Sequence, residues 1–363
     1  MPTTTSVADN VLPVRNERGF FEIRLESIGG LGANVAAQIF AEAGVLYAGL
    51  NGSNFASYGS EKKGSPVKGF IRFTDSGRDI RDATPIERPH VLGVFHEALL
   101  HAAGGVLGGL YADSIVIVNT RKQPDELARS IGRTSGTIGV LPALDIAVDE
   151  GSRVNMAMLG ALARACPFVP VEAVEEAIRG SLGVRYPQLL AANLEAFRRG
   201  YDEVRFLELG AGDEEAEVEF IRPGPVLGYE TAPAGGTIPA PGNTIHKDLS
   251  ASRQGFLPEF LREKCTDCAQ CDLVCPDFCF VWEEGVDRRG RPAMVLKGID
   301  YQYCKGCLKC VEACPFDALV TIEEEDSWAA ANRVPHGWAS ATATAGSSAS
   351  TAVDGAATPQ EEE

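Results

Sequence analysis

The sequence predicts an α/β domain with a mainly parallel sheet, followed by a small α+β domain built around cysteines. Three observations carry this. Short apolar runs alternate with segments of helical periodicity over residues 19–209. A Pro- and Gly-rich stretch follows over 210–255. Then CTDCAQCDLVCP, Cys265–Pro276, returns as CKGCLKCVEACP, Cys304–Pro315. Strands that alternate with helices bring parallel neighbours together, because each crossover needs a helix to return the chain.

Residues 1–18 are polar and read as a flexible lead-in. Phe20–Ile28 reads as a strand, and Gly29–Gly32 as a turn. Ala33–Ala48 reads as a helix, with Val35, Ile39, Ala43 and Leu46 on a helical period. VKGFIRFTD alternates as a half-buried strand does. HVLGVF, DSIVIVNT and GTIGVLPA are short apolar runs of the kind found in buried parallel strands. Helices are expected near Arg153–Cys166, Val171–Gly180 and Pro187–Val204. Residues 210–255 read as a linker arm, 256–326 as the cysteine domain, and 327–363 as a disordered Ala/Ser/Thr-rich tail with an acidic end.

The net charge of −17 argues against nucleic acid as a partner, since neutralising phosphates takes an excess of Lys and Arg. The first residues show no basic segment followed by an apolar run. The apolar region His90–Thr120 is broken by Glu97, His101 and Asp113, so no membrane span is expected. The expected location is cytoplasmic, where cysteines serve as metal ligands or redox groups more often than as disulfides.

Both cysteine runs read C-x2-C-x2-C-x3-C-P, the spacing of bacterial-type ferredoxins with two [4Fe–4S] clusters. Three thiolates on a tight loop cap three irons of one cube, and the fourth points toward the other cube. Cluster 1 is therefore expected on Cys265, Cys268, Cys271 and Cys314, and cluster 2 on Cys304, Cys307, Cys310 and Cys275. Gly306 allows a close backbone approach to a cluster. Zinc knuckles are the alternative, but zinc uses paired CxxC and not this run twice. Cys279 and Cys166 are expected as small buried residues.

Gly29, Gly30 and Gly32 join a strand to a helix whose N-terminal N–H groups can hold an anion. As a dinucleotide fingerprint the turn is incomplete. Val35 takes the place of the third glycine, and no acidic residue follows where a ribose needs one. A turn used only for packing stays open, as does a solvated loop for Tyr58–Pro66.

Together FEIRLESIGGLGANVAAQIFAEAG, SYGSEKKGSPVKGFIRFTD and the paired cysteine runs resemble the gamma and delta subunits of 2-oxoacid:ferredoxin oxidoreductases, the pyruvate:ferredoxin oxidoreductase family, fused in one chain. Against the family pattern, Leu31 replaces a Gln in the glycine turn and Lys63 replaces an Arg. The resemblance implies an electron-transfer and assembly subunit that passes electrons from oxidative decarboxylation to ferredoxin or a similar acceptor. It implies alpha-like and beta-like partner subunits carrying thiamine diphosphate and Mg2+, because this chain has neither the G-D-G run nor the N-N pair of a thiamine site. It also implies coenzyme A or a subunit interface at Gly29, Gly30, Gly32, Lys62 and Lys63, and no catalytic residue in this chain. A stand-alone nucleotide-dependent oxidoreductase with a fused ferredoxin is the competing reading.

Overall fold

The computed structural model describes residues 12–58, 66–101, 105–210, 235 and 248–337. The chain divides into two units, Met1–Gly228 and Tyr229–Glu363. The loop with Lys62 and Lys63 lies outside the described residues, as does most of the expected linker.

In the first unit β1 (Phe21–Ile28) is buried along its whole length. It sits third in a seven-stranded sheet of order β2-β3-β1-β4-β5-β6-β7. The other strands are β2 (Asn51–Tyr58), β3 (Pro66–Thr74), β4 (Val91–Val94), β5 (Ile115–Asn119), β6 (Gly136–Leu141) and β7 (Arg205–Leu209). The central strands β1, β4, β5 and β6 run parallel, as expected. At the two edges β2 and β3 pair antiparallel, β3 with β1 and β7 with β6 as well.

Alternation along β1 separates two faces. Phe21, Ile23 and Leu25 join the main core with α1 (Ala33–Glu42), α4 (Val154–Ala165), α5 (Val171–Ile178) and α6 (Leu190–Glu203). Each fully buried Leu or Ile there contributes about 1.5–3 kcal/mol. Two short α-helices, α2 (Pro124–Ser130) and α3 (Ala143–Asp149), also belong to this unit. On the other face Glu22, Arg24 and Glu26 are buried charges. Such charges are tolerable only when paired. Arg72 Nε lies 2.5 Å from Glu22 Oε1, and Arg24 Nε and Lys68 Nζ each lie 3.1 Å from Glu26 Oε1. Arg24 also donates to the carbonyls of Ile86, Glu87, Val106 and Gly108, and Arg72 to those of Asp82 and Thr84, tying loops over the sheet. Burial pushes the Glu22 and Glu26 carboxyls up, against the pull of those cations.

Helices α4 and α6 touch backbone to backbone. A Cβ on Gly160 would stand 2.0 Å from the Phe197 carbonyl oxygen, and one on Gly200 2.0 Å from that of Ala157.

In the second unit β8 (Phe256–Phe260) pairs with β11 (Leu319–Glu323), and β9 (Phe280–Val286) with β10 (Pro292–Ile299), all antiparallel. Helices α7 (Gln270–Val274), α8 (Lys309–Ala313) and α9 (Trp328–Ala331) also belong to it.

Three expected boundaries are corrected. The lead-in 1–18 packs from Leu12, which is buried, and Arg15 pairs with Asp75 at 2.8 Å. Residues 248–255 of the expected linker pack with the second unit: Leu249 is buried and donates to the Gln302 carbonyl, while Arg253 reaches Cys304 O and Glu324. Residues 328–337 of the expected tail are ordered and packed. Trp328 packs edge-on against Tyr301, and Asp300, wholly buried, accepts from Arg333 at 2.6 Å and from the His336 amide at 3.0 Å. The aromatic ring at 328 and the cation at 333 give this segment what the Ala/Ser/Thr composition lacks.

Gly200→Ala has only backbone to push against and should cost about 3 kcal/mol, read in denaturant unfolding. Arg333→Ala should cost about 2 kcal/mol, since a buried carboxylate loses a half-buried cation. A chain ending after Asp326 should fare worse, and one ending after Gly337 should match the full chain in unfolding midpoint.

Candidate iron–sulfur centre

A shift of 39 residues carries Cys265, Cys268, Cys271 and Cys275 onto Cys304, Cys307, Cys310 and Cys314. The same shift carries α7 onto α8 and relates their left-handed caps, Ala269 at φ 60° and Leu308 at φ 59°. It also relates Asp267 (φ 58°) to Gly306 (φ 68°) and Phe278 (φ 54°) to Asp317 (φ 50°). Left-handed backbone is costly outside glycine. Its recurrence at three matched points in each half therefore marks a loop wound round something.

The costs are offset differently in each half. Asp267 accepts Arg262 on both oxygens, the Oδ2 contact at 2.7 Å, and the Leu296 amide at 2.9 Å. Its partner Gly306 could carry no side chain, because a Cβ would lie 2.3 Å from the Phe256 carbonyl oxygen.

Each loop borders a small cavity of about 20 Å³. Cys265, Cys268 and Cys271 line the first together with Cys314, and Cys304, Cys307 and Cys310 line the second together with Cys275. The structure thus groups the eight sulfurs as three from one run and the fourth from the other. Among the described residues, no three His, Cys, Asp or Glu side chains converge as they would on a single metal ion. The sulfurs ring a space instead. Phe260, Trp282, Leu296 and Leu319 wall the first cavity, and Phe280 and Ile299 the second.

Burial pushes the Cys265, Cys307 and Cys310 thiols up, and Cys271 to about 12. Such thiols ionise only when positive charge arrives, which iron supplies. Amides already aim at the sulfurs, Asp267 N at Cys265 Sγ (3.4 Å) and Ala318 N at Cys314 Sγ (3.3 Å). Cys275 is held down at about 6, first by the Cys279 thiol, and Cys304 is lowered by the same neighbour.

Cys279 is buried, as expected, but it is more than packing: it lines the second cavity within hydrogen-bond reach of Cys275 and Cys304. The buried pair Lys305–Asp277, 3.2 Å apart, lines the same cavity. Aligning the two halves would have exposed all three, since their counterparts are Ala318, Thr266 and Phe316. Cys166 is fully buried, its thiol pushed up by desolvation.

The glycine turn sits in the first unit. Gly30 (φ 110°) and Gly32 (φ 79°) are left-handed, with Gly29 before them. A Cβ on Gly32 would lie 2.8 Å from Asn155 Nδ2, so this turn also serves packing onto α4.

Residues 22–203 match the family model of pyruvate ferredoxin/flavodoxin oxidoreductase, and residues 264–318 match the 4Fe-4S dicluster domain. The chain belongs to the pyruvate ferredoxin/flavodoxin oxidoreductase family. It is 41% identical to pyruvate synthase subunit PorC of Thermotoga maritima over 52% of this chain and 97% of that protein. It is 35% identical to the common gamma subunit of pyruvate/ketoisovalerate oxidoreductases of Pyrococcus furiosus, over 52% of this chain and 99% of that one. It is 36% identical to pyruvate synthase subunit PorD of Thermotoga maritima over 25% of this chain and 82% of that protein. This member of the family therefore joins a gamma-like and a delta-like part in one chain. Among the described residues no helix is long and apolar enough to cross a membrane.

Proposed function

We propose that this chain is the electron-transfer and assembly subunit of a thiamine-diphosphate-dependent 2-oxoacid:ferredoxin oxidoreductase. It carries electrons from oxidative decarboxylation to ferredoxin or a similar acceptor. The observation that supports this most is the pair of cavities, each ringed by three cysteines of one run and one of the other, in a chain that also carries a gamma-like domain. Cys265, Cys268, Cys271 and Cys314 hold cluster 1, and Cys304, Cys307, Cys310 and Cys275 hold cluster 2. The clusters supply one-electron chemistry, and the protein fixes their surroundings and hence their potentials. Thiamine diphosphate and Mg2+ belong to alpha-like and beta-like partners, because this chain has no G-D-G run and no N-N pair. Lys62 and Lys63 offer point charges to coenzyme A phosphates where the complex uses it.

The ligand assignment predicts about eight irons and eight labile sulfides per chain. Cys314→Ser should damage the cluster held by the first run and Cys275→Ser that held by the second, read by low-temperature EPR. Damage confined to each residue's own run would overturn the crossing.

The purified chain alone should oxidise no 2-oxoacid. In the complex, ligand substitutions should abolish acceptor reduction while single-turnover release of carbon dioxide survives. Changing Lys62 and Lys63 to Ala in that complex should raise the KM for coenzyme A. An unchanged KM with weakened assembly would assign the loop to an interface.

A further inference from the structure

The two cavities are built on one repeat, yet their walls differ at the ligand sulfurs. Cys279 and Ala318 occupy matched positions, and each aims its amide at the fourth cysteine of its own run, Cys275 and Cys314. Only the second half adds a thiol there. Cys279 is buried, 4% exposed, and its Sγ is within hydrogen-bond reach of both Cys275 and Cys304. These two cysteines come from different runs and line one cavity.

We propose that Cys279 donates its S–H to the ligand sulfurs of cluster 2, raises that cluster's potential above that of cluster 1, and so makes cluster 2 the resting place of a single electron held by the domain. The inference rests on the two-cluster reading above. Its physical basis is charge. Reduction adds one electron, part of whose charge falls on the ligand sulfurs, so a donor to those sulfurs binds the reduced state more tightly than the oxidised one. Cys279 keeps its proton throughout, because burial disfavours a thiolate that no iron ligates. No proton transfer is needed. One electron enters from the donor, and the thiol hydrogen bond tightens.

Lys305 and Asp277 also line only the second cavity. As a pair 3.2 Å apart they bring charges of both signs, one favouring the reduced cluster and one opposing it. The thiol adds a donor with nothing to cancel it. Placing the same thiol in the first half, where Thr266 and Phe316 replace the pair, separates the two influences.

The experiment is a redox titration followed by EPR on the full-length chain in its native assembly. Each signal is assigned by the ligand substitution that alters it, Cys268→Ser for cluster 1 and Cys307→Ser for cluster 2. In the unaltered chain the first equivalent of reductant should appear on cluster 2. Cys279→Ala should shift cluster 2 alone to a more negative potential, and Cys279→Ser, which keeps a donor, should restore most of the difference. Ala318→Cys should move cluster 1 upward. Eight irons retained with both potentials unmoved in Cys279→Ala and Ala318→Cys would overturn the proposal. Loss of cluster 2 iron in Cys279→Ala would also overturn it, since Cys279 would then be a ligand. Fewer than eight irons in the unaltered chain would instead count against the two-cluster reading itself.

Discussion

Neither half of the cysteine domain can close its own cavity. Each loop supplies three sulfurs, and the fourth comes from the far half, Cys314 for the first cavity and Cys275 for the second. This crossing makes the two halves obligate partners. It accounts for strand pairs that join the ends of the repeat, β8 with β11 and β9 with β10. It also accounts for the left-handed residues at Ala269 and Leu308, where the chain must turn sharply to bring the third cysteine of each run inward. A domain this small gains little from its apolar core alone. What binds at the two rings of sulfur therefore carries much of its stability, because folding and binding draw on one free energy.

The first unit solves a different problem with the same strictness. Its central strand β1 buries both faces, yet one face is Glu22, Arg24 and Glu26. Apolar residues there would be simpler, since a buried ion pair rarely beats a packed hydrophobic substitute. The arginines do something apolar groups cannot. Arg24 and Arg72 reach carbonyls of Asp82, Thr84, Ile86 and Glu87 before β4 and of Val106 and Gly108 after it, and tie these loop residues to the sheet, where their backbone would otherwise lack partners. At β1 the sheet thus has one face packed by helices and one clasped by guanidinium groups.

Periodicity made the strongly apolar elements legible. β1, β3, β4, β5 and β6 and the helices α1, α4, α5 and α6 fall where their apolar spacing puts them. The edge strands escaped for a physical reason. β2, Asn51–Tyr58, is polar and only half-buried, so alternation has little to mark, and β7 is largely exposed. The seven-residue α2 carried a readable signal, proline at its start with Asp125 and Glu126 in its first turn, but is too short for a period to stand out. In the cysteine domain the repeated run was legible as a repeat, and the cysteines of each run line one cavity with a single cysteine of the other. The strap 328–337 was not readable, because its anchors, Asp300 and Tyr301, lie far away in sequence and composition counts only what is near.

The strap and the asymmetry at Cys279 meet around the second cavity. His336 Nε2 lies 2.8 Å from the Phe278 carbonyl oxygen, one residue before Cys279, and the Asp300 that anchors Arg333 donates its own amide to the Cys279 carbonyl. Tyr303, one residue before Cys304, packs against the His336 ring at 5.7 Å. The segment after β11 therefore braces the two residues that flank the thiol and one of its acceptors. A hydrogen bond to a ligand sulfur changes steeply with distance and angle, so a donor that tunes a potential must be held still. In the matched half Ala318 has no such donor to hold. The second half carries both the thiol and its brace, which is the arrangement expected if one of two otherwise equivalent sites has been given a different electrical surrounding.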